Sequence, residues 1–193
     1  LIVLAHSASA QTGFQSLGFL PGGVPFSRAN GVSGDGRFIA CESASGSTAG
    51  TNTEASIWEL GIGMRGLGDL AGGDFFGLST GVSDDGLIVV GRSRGSNDDQ
   101  AFLHRQGIGM TAIAPSSSAA RGMDATGSIV VGRQGHPPTG QAWMYTSSGG
   151  LRYLSDLPGG NNDCGPRSVA KGGSVILGAG SSANSVISGG YEA

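Results

Sequence analysis

The chain has 193 residues, of which 38 are glycine, and its charged residues make up 13% while its apolar residues make up 38%. This is too little charge and too much apolar surface for a disordered chain, and the glycines lack the three-residue period of collagen. A net charge of −3 gives no basic field for a phosphate backbone, and no run of roughly 18 apolar residues is present, so nucleic-acid binding and a membrane-spanning helix are both excluded.

Residues 1–10 resemble the end of a secretory signal peptide. The apolar run Leu1–Ala5 is followed by small residues, with Ala8 and Ala10 in an A-x-A arrangement. The same apolar run also suits a first β-strand. We favour export, and therefore predict that residues 1–10 are the remnant of a signal peptide and that residues 11–193 form a single secreted or cell-surface domain.

The rest of the chain is a repeat. A Gly-Val-Ser-x-Asp-Gly element followed by apolar residues recurs at Gly31–Ala40, Gly81–Val90, Gly122–Val131 and, more loosely, Ser168–Leu177. A Leu-x-x-Leu-x-Gly-Gly element and an Ala-aromatic element accompany it, at Leu17–Gly23, Leu67–Gly73 and Leu154–Gly160, and at Ala55–Met64, Ala101–Met110 and Ala142–Leu151. Their order defines units of about 14–64, 65–110, 111–151 and a partial 152–193.

Each unit predicts four short strands. The β-branched runs are typical of strands, and the Asp-Gly and Thr-Gly dipeptides before them are typical of tight hairpins. Four strands in a unit of about 40 to 50 residues is the period of a propeller blade. The sequence therefore predicts an all-β, β-propeller-like repeat array with four short antiparallel strands per unit, with a β-solenoid as the alternative. The residues at Ser27–Ser33 and Leu78–Ser83 are mostly small. Because propeller blades crowd together at the axis, we predict that the strand formed by these residues is the innermost one of its unit.

Two glycine motifs suggest enzymes but fit the repeat better. Gly61–Gly66 matches G-x-G-x-x-G, yet no helix is predicted after it, so we interpret it as a hairpin. Gly77–Gly81 matches the G-x-S-x-G nucleophile elbow with Ser79 as nucleophile, but Ala29 occupies the equivalent place in the first unit. His104 stands where other units carry aromatic residues, which favours a packing role.

Two oxygen-rich loops and two cysteines complete the search for chemistry. Asn97–Asp99 and Asn161–Asp163 could supply ligands to Ca²⁺, but neither has the EF-hand spacing and both residue types make turns. We predict no cofactor, with Ca²⁺ as the unfavoured alternative. Cys41 and Cys164 fit no metal spacing and are predicted to be free thiols.

The repeated motifs resemble a bacterial family. Leu-Gly-x-Leu-Pro-Gly-Gly, Gly-Val-Ser-x-Asp-Gly-x-x-Val-Val-Gly and Gln-Ala-Phe/Trp, over residues 14–180, resemble the probable extracellular repeat, HAF family. The Ser-x-Asp-Gly hairpins are also distantly similar to those of TolB-type propellers. The HAF resemblance implies export and a repeated β architecture, and it carries no established reaction. Because the fourth unit lacks a convincing third strand, we expect either a fragment or a ring closed by a strand from the N-terminus.

The variable loops on one face are the predicted binding surface, because loops on a repeated scaffold commonly carry function. The candidate ligand-binding residues are Asp74, Phe75, Phe76, Arg92, Arg94, Asn97, Asp98, Arg133 and His136. Their mixture of aromatic, guanidinium and carboxylate groups suits a carbohydrate or a peptide. We expect an exported, non-enzymatic binding module. The alternatives are an exported polysaccharide hydrolase or lyase that uses Asp98, Asp99 or His136, and a structural spacer without a ligand.

Overall fold

The structure is a computed structural model that describes residues 13–48, 52–136, 139–161 and 163–183, and within these ranges it is all β. The predicted signal-peptide segment, residues 1–10, lies outside them. The first sheet contains β1 (Ser27–Val32), β2 (Phe38–Ser43), β3 (Glu54–Glu59) and β4 (Gly63–Gly66). The second contains β5 (Gly72–Val82), β6 (Ile88–Gly95), β7 (Asp99–Arg105) and β8 (Gly109–Ser116). The third contains β9 (Ser118–Met123), β10 (Ile129–Gln134), β11 (Gln141–Thr146) and β12 (Gly150–Tyr153).

A pair of strands, β13 (Cys164–Val169) and β14 (Ile176–Gly180), follows and is joined by a short 3₁₀ turn. In each of the three full sheets, which we call blades one to three, the four strands are antiparallel and lie side by side in chain order. The predicted four strands per unit are confirmed. The unit boundaries drawn on the sequence, at 64/65, 110/111 and 151/152, fall inside the fourth strands, so the blades are offset from them by a few residues.

The Ser-x-Asp-Gly turn between the first two strands of a blade is held by its own side chains. In blade two the Ser83 hydroxyl donates to Asp85 (2.6 Å) and accepts from the backbone N–H of Ile88 (3.0 Å). The Gly86 N–H donates to the carbonyl of Ser83, and Gly86 has φ +71° while Asp85 has a negative φ. This is a type I turn followed by a bulge glycine, rather than a type I′ turn.

We expect the free energy of unfolding to fall as the pH drops below about 4. Hydrogen bonds from Ser83 and from the Leu87 N–H lower the pKa of Asp85 below 3.8, and those from the Arg37 N–H and Ser33 lower the pKa of Asp35. A carboxyl group whose pKa is depressed in the folded state stabilises the fold above its unfolded pKa, and this stabilisation is lost as the pH falls through its folded pKa. Urea unfolding followed from pH 7 to pH 2 measures the decline.

Asp85→Asn isolates one such carboxylate. It should lower the free energy of unfolding at pH 7 by about 0.5 kcal/mol, since solvent screens an exposed carboxylate, and it should flatten the decline at acid pH. Asp69→Asn is a control of opposite sign, because burial raises the pKa of Asp69 and its charge opposes folding at pH 7. An acid decline as deep in Asp85→Asn as in the unchanged chain would contradict this account of the turn.

The core lies between the blades rather than within them. In β6 the neighbouring residues Val89 and Val90 point in opposite directions, Val89 into a cluster with blade one and Val90 into a cluster with blade three. Blade two is therefore covered on both faces, which explains its continuous apolar run. Cys41 and Cys164 are free thiols, as predicted, and both are buried; burial raises the pKa of Cys41 to about 11.

The first strand of every sheet carries a β-bulge at an equivalent position. The bulge residues, which have no paired residue on the neighbouring second strand, are Asn30, Thr80, Arg121 and Arg167. The Asn30 amide donates to the Ser79 carbonyl (3.0 Å), and the Thr80 hydroxyl donates to the Ala120 carbonyl (3.1 Å), so each side chain reaches the first strand of the next sheet. The first strands are thus innermost, as their small residues predict.

The sheets form an open, propeller-like arc in the part of the chain that the structure describes. Blade one shares a core cluster with blade two, and blade two with blade three. β13 packs against β9, β10 and β11 of blade three, and no comparable packing joins blade one to β13 or β14 in the described ranges. Of the two alternatives that the sequence left open, a fragment or a ring closed by a strand from the N-terminus, the second concerns the N-terminal residues, of which 1–12 lie outside the described ranges. No helix in those ranges is long and apolar enough to cross a membrane.

Candidate functional site

Two arginines of blade two are fixed around one carboxylate and one ring. Arg92 Nη1 lies 2.8 Å from Asp99 Oδ2, and Arg94 Nε lies 3.1 Å from Asp99 Oδ1. Both guanidinium groups also lie over the ring of Phe76, at 5.4 and 5.3 Å from its centroid. Ion pairs and cation–π contacts together hold planar donors in one orientation. This cluster therefore holds its two guanidinium groups in fixed orientations.

The predicted loop location of these residues is wrong. β6 runs to Gly95 and β7 begins at Asp99, so Arg92 and Arg94 lie on a strand, and the loop itself is only Ser96–Asp98. Phe75 and Phe76 likewise belong to β5. The strands extend because antiparallel pairing continues from Arg94 to Asp99, beyond the apolar run that marks the strand in the sequence.

Asp74 and Asn97 lie at the outer rim of this cluster. Asp74 Oδ2 is 4.0 Å from Arg94 Nη1, and its side chain is 80% exposed. Asp74, Arg94, Asn97 and Asp98 all line an open cleft of about 590 Å³. Phe75 is half-buried and lines neither this cleft nor the cavities beside Arg121 and Arg133.

Ser117 alone connects blade two to blade three, since β8 ends at Ser116 and β9 begins at Ser118. It adopts φ +61°, the only such non-glycine residue in the described ranges. Its hydroxyl donates to Asp98 Oδ2 (2.5 Å), and this bond, followed by that from the Asp99 N–H, lowers the pKa of Asp98. A one-residue linker forces the left-handed conformation, and Asp98 stabilises it.

The short linker also leaves a cavity open. In blades one and two the Leu-x-x-Leu-x-Gly-Gly linker covers the end of the second strand, where Leu20 and Leu70 donate backbone hydrogen bonds to Ser43 and Ser93. Blade three lacks that linker. At the corresponding place lies a cavity of about 120 Å³, lined by Arg92, Asp98, Asp99, Ser117, Ser118, Ala119, Arg121, Arg133, Gly135 and His136.

Arg133 joins this cavity to a larger one. Arg133 Nη2 lies 2.5 Å from Asp163 Oδ1, and the Asp163 side chain is only 2% exposed. The Gly140 N–H also donates to Asp163 (3.2 Å). The second cavity, of about 340 Å³, is lined by Arg121, Arg133, Asp163, Cys164, Gly165, Pro166, Arg167 and Ala179. We call the two cavities together, with their shared residues Arg121 and Arg133, the arginine groove.

Arg121 and Arg167 line the larger cavity but are not among the residues predicted from the sequence. Both are bulge residues of innermost strands, and both are exposed. Burial of part of its side chain, together with the charges of Arg92, Arg133 and Arg167, lowers the pKa of Arg121. The signal was available in the repeat alignment, since an arginine stands directly before the repeat glycine Gly122 and again before the equivalent Ser168.

Of the nine predicted residues, the structure brings eight to this surface. Arg92, Asp98, Arg133 and His136 line the groove, and Arg94 and Phe76 brace Arg92 through Asp99 and the ring contact. Asp74 and Asn97 form the rim, and Phe75 is the exception. The surface therefore spans blades two and three, as a face shared by repeats predicts.

The two enzyme-like glycine motifs, and His104, have structural positions in the blades. Gly61–Gly66 forms a hairpin turn and β4, and the next element is a strand. Ser79 is fully buried within β5, and its hydroxyl has no hydrogen-bond partner among the described residues. His104 lies on β7 opposite Val89, where burial, followed by the charge of Arg65, lowers its pKa.

The carboxylates of the two oxygen-rich loops form ion pairs and hydrogen bonds with other side chains of the protein. Asp99 binds Arg92 and Arg94, Asp98 accepts from Ser117, and Asp163 binds Arg133. Asn162 lies outside the described residues. Within the described ranges, no three His, Cys, Asp or Glu side chains are grouped so that they could hold a metal ion.

Comparison with known proteins shows a likeness in fold. No protein-family model matches the chain, and no curated protein matches its sequence. Among solved structures, putative TolB from Agrobacterium tumefaciens is similar, with a TM-score of 0.52, 17% identity, and coverage of 68% of this chain and 50% of that one. TolB from Acinetobacter baumannii has a TM-score of 0.49 and 18% identity, covering 66% of this chain and 31% of that one. The chain thus spans at most half the length of these proteins, and the first likeness supports a propeller-like fold.

Proposed function

We propose that the protein is an exported, non-enzymatic binding module that recognises an extracellular carbohydrate or peptide at the arginine groove. The observation that carries the proposal is the groove itself, in which arginines and carboxylates from blade two, blade three and the β13–β14 pair line two cavities that share Arg121 and Arg133. Strands hold the groove arginines Arg92, Arg121, Arg133 and Arg167, and groups on strands are positioned more precisely than groups on loops. Export is supported by the signal-peptide pattern at residues 1–10 and by the resemblance of the repeats to the bacterial probable extracellular repeat, HAF family. On the same resemblance we propose that the chain belongs to that family.

A binding role fits the carboxylates better than catalysis does. A glycosidase acid needs a carboxyl group whose pKa is raised, so that it holds a proton at neutral pH. Ser117 and the Asp99 N–H lower the pKa of Asp98 instead. Asp99 is committed to two arginines. The alternative of a hydrolase or lyase built on Asp98, Asp99 and His136 therefore has less support.

The test is a binding screen with the whole chain. Immobilised neutral, acidic and basic oligosaccharides and peptides are probed for saturable binding, and each bound sugar is also assayed for turnover. We expect binding without turnover, weakened at least fivefold by the combined variant Arg92→Gln/Arg94→Gln. Arg152→Gln, an exposed arginine on β12, is the matched control and should bind normally.

Two results would overturn the proposal. Absence of saturable binding across the panel would favour the structural spacer. Turnover that disappears on replacement of Asp98, Asp99 or His136 would establish the enzyme.

A further inference from the structure

The larger cavity of the arginine groove has an unbalanced charge. Arg121, Arg133 and Arg167 line it, and the only carboxylate among its described lining residues is Asp163, which is bound to Arg133. In the described part of the chain neither Arg121 nor Arg167 forms an ion pair. Arg121 and Arg167 thus face one cavity without an ion-pair partner among the described residues, and planar guanidinium groups in that state are available to bind an external anion.

The backbone places these two arginines together. Each is the bulge residue of its innermost strand, and bulges redirect a side chain out of the regular pleat. The two strands pack so closely that a Cβ on Gly122 would lie 2.7 Å from the Arg167 carbonyl oxygen. Adjacent bulges on closely packed strands therefore present two planar donors to one cavity.

We propose that the arginine groove binds an acidic saccharide, with the carboxylate of a uronic acid held between the guanidinium groups of Arg121 and Arg167. This inference rests on the proposed binding function and names its ligand. Planar guanidinium groups match a carboxylate in bidentate geometry. Gly165, Pro166 and Ala179 give the same cavity an apolar wall, which suits the C–H face of a sugar ring.

The smaller cavity selects a sugar over an acidic peptide. It continues from Arg121 and Arg133 to Asp98, Asp99 and Ser117. Carboxylates accept hydrogen bonds from sugar hydroxyls, whereas they repel a second acidic side chain. A ligand that spans both cavities is thus anionic at one end and donates hydroxyl hydrogens at the other.

The experiment compares the methyl glycosides of D-glucuronate and D-glucose, which differ in the carboxylate, by calorimetric titration of the whole chain. We expect the glucuronide to bind at least tenfold more tightly than the glucoside, and increasing salt to weaken it. Arg121→Gln and Arg167→Gln should each reduce its affinity about tenfold. Arg121→Lys, which keeps the charge but loses the planar fork, should give an intermediate loss. Arg152→Gln should leave the affinity unchanged, and an unchanged Tm shows that each variant is folded.

Each other outcome overturns the inference in a recognisable way. Equal binding of glucoside and glucuronide, or tighter binding of triglutamate than of glucuronide, overturns the acidic saccharide and leaves the binding function standing. Sulfate binding as tightly as glucuronide would mean a general anion site. Glucuronide affinity that is unchanged by Arg121→Gln and Arg167→Gln moves the site elsewhere. If no sugar, peptide or anion binds, the inference and the proposed function fail together.

Discussion

Replacing Gly132 by alanine is expected to lower the free energy of unfolding by about 3 kcal/mol, which is a large fraction of the stability of a small domain. Gly132 on β10 lies opposite Trp143 on β11, and the fully buried indole ring lies across it. An added Cβ would overlap both the ring and the backbone carbonyl of Ala119. The carbonyl belongs to the paired innermost strand and cannot move aside. Urea unfolding followed by tryptophan fluorescence measures the loss.

The control is Gly46→Ala. A Cβ at Gly46 meets its nearest neighbour at 3.7 Å, and the residue has no positive φ, so the change should stay within about 0.5 kcal/mol. Equal losses from the two substitutions would refute the steric explanation. The repeat already contains a related exchange, because the equivalent pair is Gly91 and Phe102 in blade two but Cys41 and Ser56 in blade one. A larger residue on the second strand is accompanied by a smaller one on the third.

Arg133→Met is expected to lower the free energy of unfolding by about 3 kcal/mol. The methionine keeps the aliphatic part of the side chain but removes the partner of a buried carboxylate. Asp163 has 2% of its side chain exposed and Arg133 has 17%, so solvent cannot replace the lost guanidinium. Denaturation midpoints at neutral pH, compared with those of the unchanged chain, give the effect.

Two further variants identify the cause as charge. Asp163→Asn added to Arg133→Met should restore part of the loss, because it removes the buried negative charge that Arg133 neutralises. Arg152→Met, on an exposed arginine, should change stability by less than about 0.5 kcal/mol. A double variant less stable than Arg133→Met alone would show that the pair acts through packing. Because Arg133 has this structural role, the binding tests replace Arg92, Arg94, Arg121 and Arg167 instead.

The parts of the fold that depend on local chemistry were predictable from the sequence. The Ser-x-Asp-Gly element predicts a hairpin because Ser83 and Asp85 complete its hydrogen bonds within six residues. The β-branched runs predict strands, and their recurrence predicts equivalent blades. Because equivalent positions of successive blades lie on the same face, candidates chosen at such positions come together, as eight of the nine do on blades two and three.

The missing parts depend on contacts between distant residues. Arg133 and Asp163 are 30 positions apart in the chain, so no local sequence pattern predicts that they form an ion pair. The bulges at Arg121 and Arg167 arise from the register between two strands, which residue types alone do not specify. The one-residue linker at Ser117 was visible as a missing Leu-x-x-Leu-x-Gly-Gly element, but its consequence, an open cavity, follows only when the blades are packed.

The bulge that recurs in each innermost strand is a position at which successive sheets of one scaffold carry different side chains. Asn30, Thr80, Arg121 and Arg167 occupy the same place in successive sheets, and they differ widely in size and charge, so the scaffold accepts them all. A single codon change at this place alters what one blade presents inward without touching the core between blades. Duplication of a blade copies the presenting position along with the scaffold. The side chains that such an array presents inward can therefore change one blade at a time, at the cost of at most one hydrogen bond between sheets such as those of Asn30 and Thr80.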